Sequence, residues 1–200
     1  MNNTLLVERV IKFLAVLSFT ALAACGTTSK LQSVSGKNKS DTDLRAYETV
    51  LIKDFDFSEA KIDNDPEEMR HVGKSFAKHI YNNTRSTHAF TKVVRIGLNA
   101  NAKTLARKYK GNVALVSGAI TEFEDGSALA RAMIGFGAGS SHFDADVNVS
   151  DAKTGANLGK IKVDKTSWVL GGAIAAAQDA RSFIPPVAKK IAKSLAKSKQ

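Results

Sequence analysis

The sequence predicts an α+β fold, a mostly antiparallel or mixed sheet with helices packed on it, and three observations carry that prediction. Val50-Leu51-Ile52 is a continuous apolar run inside a β-rich segment, the pattern of a strand buried on both faces. Met69, Val72, Phe76 and Ile80 recur at helical spacing after a strong helix-start signal. From His142 to Ser150 apolar and polar residues alternate strictly, which in a strand places Phe143, Ala145, Val147 and Val149 on one face. Strands and helices in this order argue for α+β, with the sheet covered by helices.

Taken in order, the chain begins with a segment that does not belong to the fold. Arg9 and Lys12 precede a run of 12 mostly apolar residues from Phe13 to Ala24, and Leu22-Ala23-Ala24-Cys25-Gly26 has the form of a bacterial lipoprotein signal. The run is shorter than the ~20 residues that a membrane-spanning helix needs. Residues 1–24 are therefore read as a signal peptide and Cys25 as the lipidation site, carrying palmitate-type acyl chains. Several chains on one residue make an effectively stable anchor. Residues 25–43 are polar and small and read as a flexible tether. Residues 44–200 read as one periplasm-facing α+β domain ending in a Lys-rich helix.

Within that domain Tyr47 to Phe57 is expected to be the first strand. Asp65 as N-cap, Pro66 in the first turn and Glu68 at capping-box spacing start a helix that is expected to end near Asn82-Asn83. Phe90 to Ile96 follows as a strand. Leu98, Ala102, Leu105 and Tyr109 mark a short helix stopped at Gly111. Val113 to Phe123 and Ala128 to Phe136 are strands around a turn at Glu124-Asp125-Gly126. The alternating strand then turns at 151–155 into Leu158 to Val163, where Leu158 is out of phase with Ile161 and Val163. A bulge around Gly159 reconciles them. Val169 to Ala177 reads as a buried segment too short to span a bilayer. Pro185-Pro186 opens a last helix with a Val187, Ile191, Leu195 stripe, outside which lie Lys189, Lys190, Lys193 and Lys197.

Composition narrows the function classes. The 200 residues are 44% hydrophobic and 24% charged, as in an ordinary globular chain. Removal of residues 1–24 leaves 27 basic and 18 acidic residues, a formal +9. Outside the cytosol that charge points to lipid headgroups, cell-wall glycan or an acidic protein rather than to nucleic acid. Cys25 is the one cysteine, so with lipid on it no disulfide, thiolate metal site or Cys nucleophile remains.

Several motifs point to chemistry that their context does not support. Gly135, Phe136, Gly137, Ala138 and Gly139 resemble a nucleotide loop, but an alternating strand follows where a helix N-terminus is required. A glycine-rich turn, open to close approach by a partner, fits better. Ser75-Phe76-Ala77-Lys78 and Lys153-Thr154-Gly155 mimic penicillin-interacting motifs, with the third motif misplaced beside the second. Asp144, Asp146, Asn148 and Asp151 echo a calcium loop, yet Val149 and Gly155 stand where Gly and Glu are needed. His71, His79, His88 and His142 show no ligand spacing.

The VLIKDF strand, the amphipathic helix after it and GAITEFEDGSALARAMIGFGAGSSHFDADVNVSDAKTG resemble a family of bacterial lipoproteins known as domain of unknown function 4410, over about Val50 to Gly172. The resemblance brings no established activity with it, and no cofactor is expected outside the cytosol. The order of elements is also similar to that of envelope modules such as the periplasmic domain of the curli secretion channel. The function expected on these grounds is that of a non-enzymatic adaptor or assembly factor, anchored to the outer membrane and facing the periplasm, with another envelope protein as partner. The alternative is a module for cell-wall glycan (peptidoglycan) or anionic lipid. No metal is expected. Candidate partner contacts are Gly135, Phe136, Gly137 and Gly139. Candidate contacts to an anionic surface are Lys189, Lys190, Lys193 and Lys197.

Overall fold

A computed structural model describes residues 26–32, 42–57, 65–125, 141–166 and 179–200. The elements are β1 (Gly26–Thr28), β2 (Tyr47–Lys53), α1 (Pro66–Ser86), β3 (Lys92–Ile96), α2 (Ala102–Ala106), β4 (Asn112–Glu124), β5 (His142–Asp151), β6 (Asn157–Lys165), a 3-10 helix (Ala180–Phe183) and α3 (Ile184–Lys197). Among the described residues six strands form one mixed sheet in the order β1-β6-β5-β4-β2-β3, so the α+β expectation holds. The pairs β2–β3 and β2–β4 are parallel, while β4–β5, β5–β6 and β1–β6 are antiparallel.

Residue alternation decides which helix covers which face. Val50 and Ile52 of β2 belong to the main core with Met69, Val72, Phe76 and Ile80 of α1 and Val187, Ile191 and Leu195 of α3. Leu51 points the other way, into a smaller cluster with Ile96, Val113 and Ala106 of α2. All three β2 residues are fully buried, as a strand covered on both sides requires. At the centre Phe76 stacks 4.6 Å from Phe55 and 5.1 Å from Phe143, edge to face with the latter, and Phe143 meets Phe123 at 6.4 Å.

Helix α1 opens as read: Asp65 Oδ1 accepts from the Glu67 N–H at 2.9 Å and Pro66 sits in the first turn. The capping box does not close in the expected way, because the Glu68 carboxylate pairs with Arg181 instead. The helix also runs past Asn82-Asn83 to Ser86. Thr84 is fully buried, and the Asn83 amide donates back to the His79 carbonyl at 2.8 Å, so neither asparagine breaks the ladder. The strand expected through Phe57 stops at Lys53. There the Asp54 N–H turns to the Ile96 carbonyl at 2.9 Å, and Asp56 pairs with β4 through Gly118 and Ile120. The next strand starts at Lys92 rather than Phe90, and α2 is shorter than the stripe from Leu98 to Tyr109. It ends at Ala106 with Arg107 as its C-cap, so Gly111 does not stop it but stands, at φ +70, in the turn before β4.

The β5 alternation is realised in full, with Phe143, Ala145, Val147 and Val149 all buried. The bulge is present too. Val149 pairs with Gly159 and Ser150 with Asn157, leaving Leu158 as the extra residue. Residues 26–32, assigned to the tether on composition, lie on the sheet. Gly26, Thr27 and Thr28 pair with Lys165, Asp164 and Val163, and Leu31 is only 2% exposed. One leucine entering the core and backbone pairing to β6 offset the poor apolar content of the arm. The expected Ala128–Phe136 strand, the Gly135–Gly139 loop, the Val169–Ala177 segment and Cys25 lie outside the described residues.

Candidate functional site

The basic face is built by α3. Pro185 and Pro186 stand in its first turn, and Val187, Ala188, Ile191, Ala192 and Leu195 are buried against α1 and the sheet. That stripe forces Lys189, Lys190, Lys193 and Lys197 to the exposed side, as the spacing predicts. The arm adds a lysine to this face that periodicity could not reveal. Lys30 and Leu31 line a shallow cavity of about 160 Å³ together with Lys193, Ser194, Lys197 and Ser198. Burial pushes the Lys165 ammonium down from its ordinary value, and the positive charge of Lys190 adds to the effect.

The arm is fixed there by backbone bonds. The Ser29 N–H donates to the Lys162 carbonyl at 2.9 Å, and Gln32 and Lys160 exchange bonds of 3.0 and 2.9 Å. Gly159 makes room for it, since a Cβ there would lie 2.3 Å from Thr42 Oγ1 and 2.9 Å from Leu31 Cδ1. The Thr42 hydroxyl donates to the Leu158 carbonyl at 2.8 Å. The bulge thus serves to dock the arm, a role that its phase break alone did not disclose.

A second groove, of about 560 Å³, runs between α1 and the start of α3. His71, Ser75 and His79 lie one turn apart along it, with the Glu68–Arg181 ion pair at one end. Ser75 does not meet Lys153. The Lys153 ammonium donates to the carbonyls of Tyr109 and Gly111 at 2.9 and 2.6 Å, by the β5–β6 turn. The penicillin-type pairing is therefore not assembled.

The outer face of the antiparallel β4–β5 pair gathers acidic groups that the linear order keeps apart. Glu124 pairs with His142 and Glu122 with Asp144, and one ligand atom each of Glu122, Glu124 and His142 lies within 4.8 Å of the others. Only the register reveals this set. It is partly solvated, and His142 Nδ1 lies 3.3 Å from Thr166 Oγ1. Burial pushes the Asp144 carboxyl up from its ordinary value, and the negative charges of Asp164 and Glu122 add to the shift. The calcium-loop residues do not converge: Asp146 pairs with Lys160 at 3.2 Å and Asp151 caps its own turn.

Comparison with known structures finds the same fold in PelC from Paraburkholderia phytofirmans, crystallised as a dodecamer. A leucine-to-methionine variant of PelC gives a TM-score of 0.55 at 17% identity, over 85% of this chain and 97% of that one. A second crystal form gives 0.51 at 16% identity, over 83% and 96%. A hemagglutinin homolog from Helicobacter pylori aligns at a TM-score of 0.40 and 9% identity, over 82% and 91%, too distant to support an argument. No curated protein matches the sequence. The family model described as Domain of unknown function (DUF4410) matches residues 50–171, most of the sheet and α1, and the chain belongs to that family.

Proposed function

We propose that the chain is a lipid-anchored lipoprotein of the outer membrane, facing the periplasm, and that it acts as a non-enzymatic adaptor or assembly factor for another envelope protein. The observation that carries the reading is the start of β1. Cys25 immediately precedes Gly26, and Gly26 is paired to Lys165 on the sheet edge. A lipidated Cys25 would hold the folded domain against the membrane by a short, docked arm, which suits a module that presents its surfaces to a neighbour. Among the described residues no helix is long and apolar enough to cross a membrane. PelC, which shares the fold, is a dodecamer, so a domain of this architecture can present its surfaces to neighbouring chains. Affinity purification with crosslinking from intact cells tests the proposal. One recurrent envelope partner is expected, and a repeatedly empty partner set refutes it.

A second reading, binding to anionic lipid or cell-wall glycan, is favoured by Lys30 joining Lys193 and Lys197 around one cavity. Each lysine near an anionic surface adds attraction that salt screens. Neutralising Lys189, Lys190, Lys193 and Lys197 together should weaken binding to anionic vesicles at least tenfold. Unchanged, salt-insensitive binding removes this reading.

A further inference from the structure

The connections around β2 and β3 create a crevice that none of the foregoing uses. From β2 the chain steps outward to β3 through α1, then returns past β2 to β4 through α2. Crossovers of one hand that travel in opposite directions must place their helices on opposite faces of the sheet. They do so here: α1 packs on the main core and α2 on the small cluster. The segments leaving the carboxyl ends of the adjacent parallel strands β2 and β3 therefore diverge. In open sheets with parallel strands, this switch point is where ligands bind.

A cavity of about 340 Å³ occupies that position, within the size range of small-molecule sites. Its walls come from both diverging segments, Phe55 and Phe57 after β2 and Gly97 to Ala100 after β3. Arg70 and Lys74, one turn apart on α1, complete it. At its edge the Asp54 side chain is 8% exposed and accepts from Arg95 Nε at 2.7 Å, so that buried carboxylate is already neutralised. Arg70 and Lys74 are exposed and have no ion-pair partner among the described residues. Apolar walls with two cations that have no ion-pair partner among the described residues suit one chemistry, an apolar body carrying a single anionic group.

We propose that this crevice binds a small organic anion, a carboxylate or phosphate monoester on an apolar body. The inference is independent of the anchor and adaptor reading, because it concerns the other edge of the sheet and needs no partner protein.

The test is an NMR titration of the whole chain from residue 25, with Cys25→Ser, using octanoate, octyl phosphate, 1-octanol and inorganic phosphate as probes. Octanoate or octyl phosphate should shift the amides of Asp54, Phe57, Gly97, Leu98 and Ala100. Preference between the two identifies the anionic group. 1-Octanol and inorganic phosphate should each bind at least tenfold more weakly than the better amphiphile. Arg70→Gln with Lys74→Gln, both exposed, should cost at least tenfold in affinity while leaving the unliganded spectrum elsewhere unchanged. Gly97→Phe should abolish binding; a Cβ at Gly97 meets nothing within 4 Å, so the side chain can leave the backbone without a clash, and an unchanged unliganded spectrum away from the crevice checks that the fold is kept. The proposal is overturned if neither amphiphile shifts these amides at millimolar concentration, or if the shifts fall on α3. Equal binding of 1-octanol, or undiminished binding in either variant, overturns it too.

Discussion

Replacing Gly159 by Ala tests how the N-terminal arm is held. The added methyl would lie 2.3 Å from Thr42 Oγ1, 2.8 Å from the Gln32 carbonyl oxygen and 2.9 Å from Leu31 Cδ1. All three atoms belong to the arm or to the segment beside it, so the clash is relieved by lifting the arm and not by opening β5–β6. Holding the arm down are the burial of Leu31, worth ~1.5–3 kcal/mol, and backbone bonds to β6, each worth ~1 kcal/mol net. Against them stands the ordering of the arm, at ~1–2 kcal/mol per residue. These terms nearly cancel, so the margin that holds the arm is comparable with the ~1–3 kcal/mol that overpacking costs. Gly159→Ala should undock the arm in most molecules. Amide hydrogen exchange on the soluble chain reads this directly: Ser29, Gln32 and Lys160 should lose at least tenfold in protection while Val116 and Val147 keep theirs. Leu31→Ala should act in the same direction. Undiminished protection of the arm would refute the reasoning, and so would loss spread evenly over β4 and β5.

Phe76→Ala removes the ring between Phe55 and Phe143 and should cost ~3–5 kcal/mol in urea unfolding; a loss under ~1 kcal/mol would mean that the aromatic stack is not the centre of the core. Burial pushes the Asp151 carboxyl up, but the N–H groups of Thr154 and Lys153 on Oδ1 and the Tyr47 hydroxyl on Oδ2 outweigh it and hold it below its ordinary value. A lowered carboxylate contributes stability above its unfolded pKa of ~3.9 and loses it as pH falls through the folded pKa. Asp151→Ala should therefore lower the urea midpoint at pH 7 and leave a shallower acid limb, whereas an unchanged limb contradicts the assignment. Asp144 has the opposite sign. With its folded pKa raised, its contribution is fully present below the unfolded pKa and is lost as pH rises through the folded value. Asp144→Asn keeps the acceptor for the Lys165 N–H, so it should raise the midpoint at pH 7 and change nothing at pH 3; equal effects at both would show that neither burial nor repulsion from Asp164 and Glu122 penalises the charged carboxylate.

What was legible in the sequence follows from the range of the forces that set it. The Asp65 cap, the α1 and α3 stripes, the β5 alternation and even the Leu158 bulge are local patterns, and each is where periodicity puts it. The end of α1 was misplaced because Asn82 and Asn83 are stop signals by propensity, while buried Thr84 answers to tertiary packing. The docked arm was missed because its composition is that of a linker, and the leucine that seats it does so only through a glycine more than a hundred residues away. The same limit applies to the sites. Lysines on one helix could be grouped from spacing, but Lys30 joins them only through β1. The switch-point crevice is invisible until strand order is known, because Asp54, Arg70 and Gly97 share no periodicity and come together only through two crossovers.

The anchor on which the proposed role depends is tested most directly by mass spectrometry of the N-terminal peptide from protein recovered in the membrane fraction. The account predicts a mature chain beginning at Cys25, with a thioether-linked diacylglycerol on sulfur and an acyl group on the new amino terminus. A bare thiol at Cys25, with residues 1–24 retained in protein from the soluble cell interior, would contradict it.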